Sequence, residues 1–263
     1  MTREPNYIFA VGRIRALEKF LISQSVFEEA IAADLAGALR LFVESDLYSD
    51  ELLHIKDSRG LEDVLARELA KLKGLVAELI PDKDLLLLLD ADIHCVEKVL
   101  ASCRSAFLQD YLRHLIDMHN IKTFLRLYLL KEPQEKLKAH LECQGFIPIN
   151  DLLKLYSQDL AALLNRLEYV SKHYRSLDYT YYLTEAVQRA VKENSFVYLE
   201  KAINDFLMQI LKEAKYITFG PEPVLAYYFA KLNEINLMRM IIMAKFSGIP
   251  AEQVQERLNA VYA

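Results

Sequence analysis

Glu51-Leu-Leu-His54 sets a carboxylate and an imidazole three residues apart, the Glu-x-x-His spacing with which ferritin-like bundles hold a di-iron pair. Such a centre needs two copies of the motif and two further glutamates on facing helices. No second Glu-x-x-His occurs in the chain, so a surface pair on a short helix is the expectation. His140-Leu-Glu-Cys143 puts two zinc-ligand types on one helical face, but a structural zinc takes four, and Cys95 and Cys103 are not spaced to complete the set. His114 and His119 are separated by about 140° around a helix, a poor geometry for one metal. Asp90-Ala-Asp92 resembles the aspartate motifs of all-α prenyl-transfer enzymes, yet no second acidic cluster follows, and Asp92 suits the N-cap of a long helix. Phosphate-binding glycine loops and serine or cysteine nucleophile motifs are missing. The expectation is therefore no catalytic residue, no metal site and no cofactor.

Composition narrows the remaining classes. A net charge of −5 argues against a nucleic-acid binder that works by neutralising phosphates. The longest uninterrupted aliphatic run is Leu85 to Leu89, far short of the roughly 20 apolar residues of a membrane span. The first six residues lack the apolar core of a signal peptide, and three unpatterned cysteines fit a reducing cytosol. The tyrosines at 169, 174, 179, 181 and 182, with Tyr227 and Tyr228 later, suit helix packing with hydroxyls reaching a wet edge. A cytoplasmic all-α protein follows.

About a dozen helices position these side chains. Apolar periodicity and caps place them at residues 7–21, from Ser25 (a capping-box spacing to Glu28), from Asp34 to about 43, 49–56, 58–80, 92–131, 133–143, 150–172, 179–193 and 195–215. A final pair follows. Pro221 and Pro223 open a helix to Phe246 whose apolar residues, from Leu225 to Met238, are spaced for one buried face. Gly248 then takes a left-handed cap, and Pro250 starts the last helix. Residues 217–219 read as briefly extended.

An internal repeat organises the array. Arg13, Arg126 and Arg239 are spaced by 113 residues each, and apolar residues coincide two before, one after and four after each arginine: Val11/Phe124/Leu237, Ile14/Leu127/Met240 and Leu17/Leu130/Met243. Asn120 and Asn233 align as well. Each copy is followed by a break, at Ser23-Gln-Ser25, Gln144-Gly-Phe-Ile-Pro148 and Ser247-Gly-Ile-Pro250. The arginines suit ties between neighbouring helices through glutamates or backbone carbonyls, with contact to a partner as the alternative.

Tyr7-Ile-Phe-Ala-Val-Gly-Arg-Ile-Arg-Ala-Leu-Glu18, His119-Asn-Ile-Lys-Thr-Phe-Leu-Arg126, and Gly220-Pro-Glu-Pro-Val-Leu-Ala-Tyr227 with Asn233-Glu-Ile-Asn-Leu-Met-Arg239 and Gly248-Ile-Pro250 together resemble the central-stalk C subunit of V-type and A-type ATPases, whose eukaryotic equivalent is the d subunit. The resemblance implies a non-catalytic socket of helical modules. Such a socket seats the D–F shaft on the membrane rotor ring and carries torque for proton or sodium transport or ATP synthesis, without binding nucleotide. Family members usually carry four marker helices bounding three modules. Three occur here, so the expectation is a shortened member with two modules, 1–131 and 132–263. The alternatives are a free helical-repeat scaffold and, last, an all-α metal or isoprenoid enzyme.

Overall fold

Seven glycines and seven prolines leave few places to interrupt a helix, and the computed structural model shows the result. It describes residues 7–45, 48–90, 93–173 and 178–263, with the side chain of residue 173 excepted. Among them are thirteen α-helices, four 3₁₀ turns and no strand. The helices are α1 Ile8–Leu17, α2 Gln24–Ala32, α3 Leu35–Ser45, α4 Ser58–Leu79, α5 Ile93–Ser102, α6 Ala106–Leu129, α7 Gln134–His140, α8 Ile149–Tyr156, α9 Leu160–His173, α10 Tyr179–Glu193, α11 Val197–Lys212, α12 Glu222–Phe246 and α13 Ala251–Gln255.

Short polar side chains begin many of them by accepting the unpaired N–H groups of a first turn. Asp34 accepts from Gly37 N–H at 2.7 Å, Asp57 from Gly60 at 2.8 Å, Ser105 from Leu108 at 3.2 Å and Asp178 from Thr180 at 2.8 Å. Ser25 is different: α2 begins one residue earlier, after Ser23, whose side chain makes no capping bond. Two long helices expected from the sequence are each broken. Ser105 restarts the chain between α5 and α6, and Asp159 accepts from Ala162 N–H at 3.1 Å between α8 and α9. The apolar rhythm runs on across both breaks, which hid them. Asp92, the expected cap, and Tyr174 lie outside the described residues.

The chain forms two compact units: residues 1–82 with 211–263, and residues 83–210. This spatial partition differs from the sequential one at 131/132, which counts copies of a marker helix along the chain.

In the first unit α12 packs on α4, α3, α2 and α1. Its residues 223–228 are all buried, more than a full turn, so the single buried face expected from its spacing is corrected. A helix apolar all round is a core element. In the second unit α6 holds the same place, packing on α5, α7, α8 and α10 with buried residues on several sides.

Both central helices end alike. After α6, Lys131 takes a left-handed φ of 53°, its N–H bonds Tyr128 C=O at 3.1 Å, Glu132 N–H bonds Leu127 C=O at 3.0 Å, and Pro133 follows. After α12, Gly248 takes φ 66°, Ile249 N–H bonds Ala244 C=O at 2.9 Å, and Pro250 follows. The second marker helix thus ends at 130–133, close to the expected end at 131, with a lysine in the turn that glycine usually occupies, and the Gln144–Pro148 break follows α7. Lys131→Gly is expected to stabilise the protein by about 0.5–1 kcal/mol by removing the Cβ strain of the left-handed region. A lower denaturation midpoint for Lys131→Gly would contradict this account of the cap.

Candidate functional site

Helix α6 carries the densest polar chemistry of the second unit. His114 and Asp117 lie one turn apart on one face, 1% and 0% exposed. Tyr179, the first residue of α10, sits between them: its hydroxyl donates to Asp117 Oδ2 at 2.9 Å and lies 2.6 Å from His114 Nδ1. A hydroxyl has one hydrogen, so Tyr179 accepts from His114, which places the imidazole proton on Nδ1. The other ring nitrogen, Nε2, is buried with no hydrogen-bond partner among the described residues. Rings of Phe146, Tyr179 and Phe206 surround the imidazole at 4.7, 5.4 and 5.1 Å. That apolar wall lowers the His114 pKa to about 4.

Asp117 also accepts from the backbone N–H groups of Phe146, at 3.0 Å, and Ile147, at 3.1 Å. Burial raises its carboxyl to about 7, against the pull of those donors, of Tyr179 and of Arg166. Gly145 lies against the same carboxylate, where a Cβ would come within 2.2 Å of Oδ1. Upstream, Asn120 grips Glu142 twice, donating to its C=O and accepting from its N–H, each at 2.9 Å. Glu97 of α5 accepts from Cys143 N–H. Residues 142–147 belong to no helix, so they form a strap held by the side chains of two helices.

The first unit has its own ties. Arg15 donates to both oxygens of Glu18 and to the carbonyls of Ala214, Lys215 and Ile217 at 2.8–3.0 Å. One guanidinium fork thereby joins α1 to a segment about 200 residues away in sequence. Tyr262 donates to Glu18 at 3.2 Å, and Lys215 donates to Tyr262 C=O at 2.6 Å. Within α12, Lys231 pairs with Glu234 at 2.9 Å, and Glu234 accepts from Ile22 N–H at 2.7 Å.

The marker residues occupy comparable places with different partners. Arg13 meets Glu78 of α4 at 3.5 Å, Arg239 meets Glu62 of α4 at 2.9 Å, and Arg126 lies over the Phe196 ring at 5.6 Å. Asn233 donates to Ala260 C=O at 3.2 Å and accepts from Asn259 at 2.9 Å. Asn120 and Asn233 thus each hold a downstream segment against a central helix. Of the aligned apolar positions, Val11, Phe124 and Leu237 are all buried, whereas Leu130 is 65% exposed at the cap of α6.

The metal-like spacings do not converge. Glu51 pairs with Arg67, and His54 is exposed. His140 donates to Lys136 C=O at 2.8 Å, and Cys143 is exposed. His119 lies 3.5 Å from Thr123, apart from the His114 chain. Among the described residues no three His, Cys, Asp or Glu side chains come together as a metal would require. No motif marks Asp117 in the sequence, and Arg15 and Glu234 lie inside the segments that carry the family resemblance without standing out there. The readable signal is a charge at helical spacing from apolar residues, such as Asp117, four residues before Ile121 and seven before Phe124.

These arrangements define an all-helical protein whose buried polar side chains pair with one another and with its own backbone. The chain belongs to the ATP synthase (C/AC39) subunit family, whose profile matches residues 91–257, more than half of it. It is similar to the C subunit of the V-type sodium ATPase of Enterococcus hirae, 28% identical over 147 residues that make up 56% of this chain and 42% of that protein. It is also similar to the C subunit of the A-type ATP synthase of Methanocaldococcus jannaschii, 22% identical over 254 residues, 95% of this chain and 57% of that protein. The chain spans about half the length of the curated relatives it matches.

Proposed function

We propose that this chain is a non-catalytic central-stalk component of a rotary V-type or A-type ATPase, seated between the D–F shaft and the membrane rotor ring on the cytoplasmic side. The observation that carries the reading is the family match over 91–257, joined to similarity with an A-type C subunit along 95% of the chain. A torque carrier needs stiffness, and two central helices tied by buried side chains are stiff elements. No described helix is long and apolar enough to cross a membrane, which suits a protein that sits on a ring. In this reading the marker helices around Arg13, Arg126 and Arg239 bound two repeat modules, 1–131 and 132–263. The parallel grips of Asn120 and Asn233 and the matching helix ends support that division.

The test is co-purification of the tagged chain with the D–F shaft complex and with rotor-ring membranes of its own source. A stoichiometric complex with either is expected. Failure to bind both at micromolar concentration would leave a free helical-repeat scaffold as the better description.

A further inference from the structure

Helix α1 is apolar on two sides, and only one of them is covered. Ala10, Val11 and Ile14 are buried. Every exposed residue from 8 to 20 is apolar, glycine or cationic: Ile8, Phe9 and Phe20 are large, Gly12 and Ala16 small, Arg13 and Lys19 charged. Their spacing of three and four puts them on one continuous side of α1 and of the 3₁₀ turn Glu18–Phe20 that extends it. Phe9 is 74% exposed. A helix apolar all round is normally enclosed, and this one presents half of that surface to solvent.

The neighbouring turn widens the surface. Arg15, at its edge, fixes the carbonyls of Ala214, Lys215 and Ile217. Tyr216 among them is 87% exposed, and Phe219 just beyond is exposed as well. Two features of α1 point to what the surface takes. Gly12 sits in the middle of it, yet its φ is not left-handed and a Cβ there meets nothing within 4 Å. Nothing inside the chain asks for glycine at a helical position where alanine is more stable, whereas close approach of another backbone does. The second feature is charge. Arg13 faces Glu78 of α4 at 3.5 Å, and Glu18 is engaged by Arg15 and Tyr262, so the side chains that this side of α1 offers to a partner are cations.

We propose that this side of α1, with Tyr216 and Phe219 at its edge, docks an α-helix of another protein chain whose apolar stripe is flanked by aspartates or glutamates. The partner's backbone crosses over Gly12 and Ala16, where no long side chain holds it off, between Ile8 and Phe9 at one end and Phe20 at the other. Its acids face Arg13 and Lys19 and lie away from the Tyr7 end, where the charges of Asp82 and Glu222 are felt. A lipid surface fits less well: it gains from bulky side chains in the middle of a face and from many cations, and here the middle holds two small residues. The chemistry of the partner follows from this surface alone. Its identity as a shaft or ring subunit rests on the central-stalk reading.

The experiment puts the photo-crosslinker p-benzoylphenylalanine at position 16 of the full chain in cells of its own source, with the same group at exposed position 28 of α2 as background. Adducts formed on irradiation are identified by peptide mass spectrometry. The expected adduct joins α1 to a helical segment of another chain with Asp or Glu beside its apolar stripe. Two further proteins carry the crosslinker together with Arg13→Glu/Lys19→Glu, which reverses the charges, or Gly12→Leu, which fills the open space over the helix. Both changes are at exposed positions, circular dichroism checks that the fold is kept, and each is expected to lower the adduct yield about tenfold or more. An adduct to lipid, to a second copy of this chain or to a segment without acids overturns the proposal. So does an adduct no stronger than background, or a yield that the charge reversal leaves unchanged. An adduct to an acid-flanked helix outside the ATPase supports the docking surface and counts against the central-stalk reading.

Discussion

Gly145→Ala is expected to lower the stability of the second unit by about 2–4 kcal/mol, read as a shift in the denaturant midpoint followed by circular dichroism. The cause is space and not backbone conformation. A methyl group at this position would come 2.2 Å from Asp117 Oδ1, 3.1 Å from its Cγ and 3.2 Å from Ile116 Cγ2. Asp117 is short, fully buried and fixed by three donors, so it cannot swing aside without leaving the Phe146 and Ile147 amides unpaired. The alternative is for the strap to lift, which exposes the apolar surface of Phe146 and Ile147, both buried. Gly12→Ala is the matched control. Gly12 lies inside α1, and a Cβ there meets nothing within 4 Å. Relief of glycine's backbone entropy should then raise stability by about 0.5–1 kcal/mol. A Gly145→Ala protein within about 0.5 kcal/mol of wild type would mean that the strap is not pressed onto α6 as described.

What could be read from the sequence follows from how far each interaction reaches along the chain. Helix existence is local, and Asp34, Asp57 and the prolines at 221, 223 and 250 announce their caps within a turn. The breaks at 103–105 and 157–159 were hidden because apolar spacing continues across them while a single serine or aspartate does the capping. The helix end at Lys131 was legible even without a glycine in its left-handed turn, because Pro133 two residues on cannot continue a helix. The all-round burial of α12 depends on what packs against it from α1 to α4, far earlier in the chain, and a one-face pattern cannot register that. Long-range partners were the least visible. Arg13, Arg126 and Arg239 stood out by their spacing, but Arg15, two residues along, makes the tie to carbonyls about 200 positions away. Asp117 and Tyr179 are separated by 62 positions, and only the fold brings them to one hydroxyl bridge.

The second large effect belongs to the core of the first unit. Lys231 and Glu234 are a full ion pair inside α12, with Glu234 only 2% exposed. Burial pushes Glu234 above its ordinary pKa and Lys231 below it, and each holds the other's charge against that tendency. The Lys231 ammonium also lies 4.1 Å from the centre of the Tyr48 ring. Glu234→Leu removes the counter-charge and the acceptor of the Ile22 N–H together. The expected loss is about 3–5 kcal/mol, because an ammonium stays buried beside an apolar side chain. Adding Lys231→Met removes that ammonium with little change in volume. The double variant should therefore recover about half of the loss, remaining about 1–3 kcal/mol below wild type for the unpaired Ile22 amide. Residues four positions apart or closer in one ion pair are not expected to be additive, and the double-mutant cycle measures the coupling directly. A double variant less stable than Glu234→Leu alone would show that Lys231 is held by Tyr48 and its surroundings and not by its carboxylate. Recovery would show that the two charges are coupled, and the acceptor that Glu234 gives Ile22 N–H ties that pair to how α12 seats against this segment.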